Sequence, residues 1–189
     1  MTFHKAKILT TVSVVAALSG TAIVPAQAAI DELVVTAQKR EQNIQDIPLA
    51  VSAFDSAFLE NTGYQNIFDI IDYVPGFAYT QSQTSGQTSF IIRGIGTSGN
   101  NAGLEPSVGV FVDGVYRSRS GAAIYDMVDL ERIEVLRGPQ GTLFGKNTSS
   151  GAVSIVSQKP SYEFGGMAEL TIGNLDAVNV KGLVTGPIV

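Results

Sequence analysis

The sequence predicts an α+β fold, rich in strands and turns, with short helices between them. Twenty glycines, with many Ser, Thr, Gln and Asn residues, favour tight turns over long helices. Strict alternation recurs: Ile133 and Val135 share one strand face, as do Val153 and Ile155 on a later strand. Helical spacing of apolar residues is confined to short stretches near residues 55–73. With 44% hydrophobic and only 15% charged residues, the 189-residue chain has the apolar content to fold, as one domain of ordinary size.

The N-terminus reads as a secretory signal peptide, residues 1–28. Lys5 and Lys7 make the basic start, an apolar run covers 8–24, and Ala26-Gln27-Ala28 supplies an A-x-A cleavage site. The apolar run is interrupted by Thr, Ser and Gly, so it barely spans a bilayer as an anchor. Export follows, and loss of the two lysines makes an already acidic chain more so.

Next comes Asp31-Glu32-Leu33-Val34-Val35-Thr36-Ala37, a short β-prone segment followed by the polar run 38–43. It has two options: docking on its own domain, or adding a strand to a partner's sheet edge. The residues alone favour self-docking. The first body strand is expected over 47–54, with Pro48 at its start. A helix over 55–60 follows, capped by Asp55 or Ser52, and a second over 65–73, capped by Asn66 and stopped by Pro75-Gly76. Residues 77–80 are extended, 81–87 form a polar loop, and Thr88 to Arg93 form a strand. A long loop, 94–107, leads to a strand over 108–113. A basic flexible loop, 115–121, and a short helix near 122–129 come next. Two strands, 131–137 and 151–157, flank a glycine turn. After Pro160 two amphipathic strands, 166–173 and 177–184, alternate in the weak manner of transmembrane β-barrel strands.

Enzyme chemistry has no residues to carry it. There is no Cys, and His4 is the only His, so no thiolate or His-based metal or catalytic centre, and no cofactor, is expected. Gly94-Ile95-Gly96-Thr97-Ser98-Gly99 has dinucleotide spacing, but loop sequence follows where a helix is required. Residues 141–147 have the wrong spacing for a phosphate loop. The pairs Asp69/Asp72 and Glu131/Glu134 read as solvated faces. The net charge of −5 and the lack of a basic run argue against nucleic acid. One small pattern repeats: apolar strand, Arg, Gly, at Ile92-Arg93-Gly94 and Leu136-Arg137-Gly138. A buried strand-end arginine needs an acceptor, and Asp113 is the nearest analogue of opposite sign.

Taken together, Val74-Pro75-Gly76, Ile92-Arg93-Gly94, Val112-Asp113-Gly114, the run Glu131 to Gly145 and the strand Gly151 to Ser157 resemble the plug domain of TonB-dependent outer-membrane receptors. Order and spacing agree over about residues 43–160. The resemblance implies a small α+β plug with a mixed sheet of about four strands, lodged in a large barrel. It implies a TonB box at Asp31, Glu32, Leu33, Val34, Val35, Thr36 and Ala37, which adds as a strand to the C-terminal domain of TonB, driven by ExbB–ExbD. That lowers self-docking to the lesser option. It implies that Arg93 and Arg137 latch onto barrel glutamates. The loops 81–88, 94–107 and 114–121 would face the ligand, with Tyr79, Tyr116, Arg117 and Arg119 placed to touch it.

The expected organisation is therefore a signal peptide (1–28), TonB box and linker (29–45), plug (46–160) and the first barrel strands (161–189). A complete receptor continues to a barrel of 22 strands, so the sequence reads as an N-terminal fragment or truncated product, unable to transport alone. Its expected function is the energy-coupling part of an importer in the outer membrane, for a ferric siderophore, cobalamin, glycan or similar nutrient. The alternative is a stand-alone periplasmic module that binds TonB without transport.

Overall fold

The computed structural model describes residues 33–37, 39–64, 66–97, 103–123 and 129–187, all within the unit Glu32–Val189. The expected signal peptide, Asp31, Glu32 and most of the expected helix near 122–129 lie outside the described residues.

The chain opens with β1 (Val34–Val35), which pairs antiparallel with β2 (Gln42–Asn43). A 3-10 turn, Ile44–Asp46, leads into β3 (Ala50–Asp55). Asp55 then caps α1 (Ser56–Asn61), accepting from the Phe58 amide at 2.8 Å and so satisfying one of the helix's orphan donors. Asn66 starts the next helix with a full capping box, in which the Asp69 carboxylate takes the Asn66 amide. This helix, Ile67–Tyr73, is 3-10 rather than α, and buries Ile67 and Ile70 at the three-residue spacing of that form. Val74-Pro75-Gly76-Phe77 closes it as a turn: Gly76 takes φ 74°, and the Phe77 amide donates to the Val74 carbonyl at 3.0 Å.

Three antiparallel hairpin connections follow. β4 (Phe77–Gln81), β5 (Thr88–Ile92) and β6 (Ile95–Gly96) form a three-stranded antiparallel sheet. A 3-10 turn, Ser85–Gln87, lies in the loop before β5. β7 (Val108–Val112) and β8 (Val115–Arg117) make a further hairpin, followed by a 3-10 turn at Ser120–Ala123. The region expected to be a flexible basic loop is thus a strand and a turn. Asp113-Gly114 supplies the two left-handed residues that a tight hairpin requires.

β9 (Leu130–Arg137), the one-turn α2 (Gly141–Phe144) and β10 (Gly151–Ser157) complete the body. The main sheet has five strands in the order β3-β9-β10-β7-β8, mixed because β10 runs parallel to β7 and all other pairs are antiparallel. The expected four-strand mixed sheet is there, extended at one edge by β8.

Strand alternation divides the core between the two faces of this sheet. On one face Ile133, Val135, Val153, Ile155, Val108 and Val110 pack under the helices and β4–β5, where each side chain's burial stabilises the fold by about 2 kcal/mol. On the other, Leu136, Ala152 and Phe111 pack under Ile47, Val35 and Ala37, with Phe144 at the margin. The N-terminal segment is therefore the lid of a second, smaller core.

After Pro160 the chain forms a separate hairpin, β11 (Gly165–Ile172) with β12 (Val178–Thr185). Leu170, Ile172, Val178 and Val180 share its outer face and are exposed, while the opposite face carries the cross-strand pair Glu169 and Lys181. Met167, Glu169 and Lys181 line a crevice of about 190 Å³ with Leu59, Tyr64 and Leu130 of the body. The apolar face thus points away from the plug-like body and the polar face towards it. No described helix is long and apolar enough to cross a membrane.

Candidate functional site

The segment 33–37 is fully engaged within the chain. Leu33 accepts from the Ile44 amide at 3.1 Å, Val34 and Val35 pair with Asn43 and Gln42, and Thr36 accepts from the Lys39 amide at 2.7 Å. Val35 and Ala37 are fully buried. The structure takes the self-docked option, which the resemblance had made the lesser one. The reason is apolar burial: Val35 and Ala37, at alternate positions, cover Leu136 and Ala152 on the second face of the sheet.

A carboxylate sits at the centre of this contact. Glu134 Oε1 accepts from the Thr36 amide at 2.7 Å, from the Thr36 hydroxyl at 3.1 Å and from Arg132 Nε at 2.8 Å. Arg132 Nη2 reaches back to the Thr36 hydroxyl at 3.3 Å, and its Nη1 pairs with Glu131. Glu134 is wholly buried, and its Oε2 accepts nothing among the described residues. The expectation that Glu131 and Glu134 form a solvated face fails for Glu134, because the N-terminal segment covers it. Asp69 and Asp72 are exposed, as read.

The two Arg-Gly arginines converge on one turn. The Arg93 amide donates to the Gly76 carbonyl at 2.7 Å, and Arg137 Nη1 reaches the Pro75 carbonyl at 3.5 Å. Arg137 is half-buried, and its Nε, fully buried, donates to nothing among the described residues. Arg93 is exposed and takes φ 53°. Asp113 is partner to neither: its carboxylate accepts from the amide and hydroxyl of Ser157, at 2.9 and 2.7 Å.

Of the expected ligand-facing residues, Arg117, the last residue of β8, and Arg119 are exposed. Tyr79 is on β4, within the stretch read as extended, and packs on Phe68, with ring centroids 4.3 Å apart. Tyr116 lies within β8. Its hydroxyl accepts from Asn147 at 3.1 Å and donates to Glu105 at 3.4 Å, joining the 94–107 loop to the turn before β10. Burial pushes the Tyr116 phenol pKa up, the Asn147 hydrogen bond lowers it, and the Glu105 charge raises it. The turns 85–87 and 120–123 pack together, so two of the three expected ligand-facing loops meet. Among the described residues no group of acidic or imidazole side chains is arranged to hold a metal.

A family model described as the TonB-dependent receptor plug domain matches residues 43–152. The chain belongs to this family. The match takes in the plug from β2 to the start of β10, leaving β1 before it and the β11–β12 hairpin after it. The pesticin receptor of Yersinia pestis is 30% identical over 157 residues, covering 82% of the chain and 23% of that protein. The ferrioxamine B receptor of Salmonella typhimurium is 30% identical over 148 residues, covering 76% of the chain and 20% of the receptor. Among solved structures, the ferric yersiniabactin uptake receptor of Yersinia pestis superposes with a TM-score of 0.66 at 28% identity, covering 74% of the chain and 22% of that structure. The ferripyoverdine receptor of the Pseudomonas aeruginosa outer membrane gives 0.68 at 21% identity, over 83% of the chain and 20% of the receptor, a likeness of fold alone. The plug and its following hairpin thus span less than a quarter of these relatives.

Sequence reasoning missed Glu134, Arg132 and Asn147 as members of any site. The first two carry one available signal, opposite charges two residues apart on the same face of a strand. Asn147 has none beyond its place in a glycine-rich turn.

Proposed function

We propose that this chain is the plug and energy-coupling part of an outer-membrane receptor that takes up a siderophore-like or other large nutrient. Residues 31–37 are the segment that pairs with the C-terminal domain of TonB, whose motor is ExbB–ExbD. Arg93 and Arg137 are the plug side of a latch to the barrel, and Tyr79, Tyr116, Arg117 and Arg119 are the residues nearest the ligand. The observation that carries this reading is the β11–β12 hairpin, which turns its polar face to the plug and its apolar face outward, the arrangement of a barrel wall around its contents. The unused, buried Nε of Arg137 supports the latch, since a guanidinium donor buried there needs an acceptor from another part of the molecule.

The test for the TonB segment is a titration of the peptide 31–37 against the TonB C-terminal domain. Strand addition uses main-chain donors, so Val34→Pro in the peptide should abolish binding. Equal affinity for both peptides would refute docking by strand addition.

The stand-alone module has one observation in its favour: both faces of the five-stranded sheet are covered by the chain's own residues. Uptake of a labelled ferric siderophore by cells, compared with and without the gene, separates the two readings. Uptake that does not depend on the gene leaves the module.

A further inference from the structure

A fully buried carboxylate in the middle of β9 demands an explanation, because burying a charge is costly unless it is paired and hydrogen-bonded. Three donors answer the demand, and two of them belong to Thr36, on the N-terminal segment. Arg132 supplies the third and also touches the Thr36 hydroxyl, so one pair of charges grips one residue from two sides. Thr36 sits between Val35 and Ala37, the two residues that close the smaller core. Around it the main-chain groups of Leu33 and Val35 face Ile44 and Gln42, and the amide and carbonyl of Thr36 are taken by Glu134 and Lys39. A partner that adds a strand needs those same groups.

We propose that Glu134, oriented by Arg132, is a positioning residue that pins Thr36 and holds the segment 33–37 in a docked state that excludes capture by a strand-adding partner. The partner half of this statement rests on the TonB reading above. The pin itself does not. Docked and released states are two ends of one equilibrium, and the partner binds only the released one. Its apparent affinity is therefore lowered by the fraction that is docked. Release costs the two hydrogen bonds from Thr36 to Glu134 and the one from Arg132 to Thr36, keeps the Arg132–Glu134 pair, and lets water reach both charges. The pin can therefore open without stranding an ion in an apolar core, which a purely apolar anchor of the same grip would not need and an unpaired charge would not allow.

The experiment compares wild type with Glu134→Gln, which keeps the side-chain shape and removes the charge that holds Arg132 and Thr36. Hydrogen–deuterium exchange is measured on the intact protein, and binding to the TonB C-terminal domain alongside it. The expected result is a Thr36 amide that exchanges at least tenfold faster, unchanged exchange at Val153 and Ile155, and at least tenfold tighter binding. Should Glu134→Gln fail to fold, Thr36→Val, which removes only the hydroxyl on the segment's side, must give the same local rise in exchange. An unchanged Thr36 amide in the folded variant overturns the pin. Faster exchange with the same measurable affinity overturns the exclusion. If neither protein nor the free peptide 31–37 binds TonB, the TonB reading falls, and the exchange result alone decides the pin.

Discussion

Arg93 and Asp113 occupy the same backbone position in two different hairpins. Each takes a left-handed φ, 53° and 50°, and each is followed by a glycine at 77°. Ile92 pairs with Ile95 across the first turn and Val112 with Val115 across the second. Both are two-residue turns of the kind that favours Asn or Asp before Gly. The repeated Arg-Gly pattern is therefore turn chemistry in one case, and arginine is the misfit residue there. Arg93→Asn should stabilise the fold by about 0.5 kcal/mol, because Asn enters the left-handed region more readily. Chemical denaturation measures this. In a complete receptor the same change should raise leak conductance if Arg93 latches the barrel. A stabilised fold with a wild-type leak would leave Arg93 with no latching role.

Gly151 begins β10 where no other residue fits. Its φ is 157°, and an added Cβ would collide with the Leu136 carbonyl oxygen and approach Ile92 Cδ1 within 2.6 Å. The neighbours are a backbone atom of the adjacent strand and a buried side chain, and neither has room to move. Gly151→Ala should destabilise the protein by about 2 kcal/mol. Gly114→Ala, where the added atom meets open space, should cost less, only the strain of its φ. Melting curves of the two variants rank them.

What was legible in the sequence follows from range. Asp55 and Asn66 were readable as caps because their oxygens reach amides two or three residues on. The β11–β12 hairpin was readable because alternation alone sets which face is apolar. The β8 strand was missed although Asp113-Gly114 announces it, since three residues ending in Arg117 carry too little apolar pattern. The helix type at 67–73 was missed because apolar spacing there suits either form. The charges of Arg132 and Glu134 were visible but their burial was not: the cover comes from Thr36, 98 residues from Glu134, and no local pattern encodes that meeting.

The Asp55 cap carries a test of its own. Its carboxylate takes the Phe58 amide at 2.8 Å, and Phe58 in turn stacks on Phe54 and Tyr73 at centroid distances of 5.1 Å each. Asp55→Ala removes the acceptor and frays the first turn of a helix only six residues long. The expected loss is about 1 kcal/mol. Asp55→Asn or Asp55→Ser should restore most of it, since both accept from the same amide. No loss in Asp55→Ala would mean that the aromatic cluster, not the cap, sets this helix.

Tyr64 ties stability to alkaline pH. Burial, first, and the nearby charge of Asp69, second, disfavour the phenolate and push its pKa well above the ordinary value of 10.0. The folded protein thus keeps the proton that the unfolded chain gives up near pH 10. This preference is neutral below pH 10, where both states are protonated and the folded state has its full stability. Above pH 10 the unfolded chain ionises alone, and stability falls by up to about 1.4 kcal/mol per pH unit from this one group. The loss continues until the folded phenol itself ionises. Tyr64→Phe removes the ionisation, so its melting temperature should decline less steeply than that of wild type between pH 9 and 11. Parallel declines would show that the phenol of Tyr64 ionises in the folded protein as readily as in the unfolded chain, against the burial seen beside the crevice that faces Lys181 and Glu169.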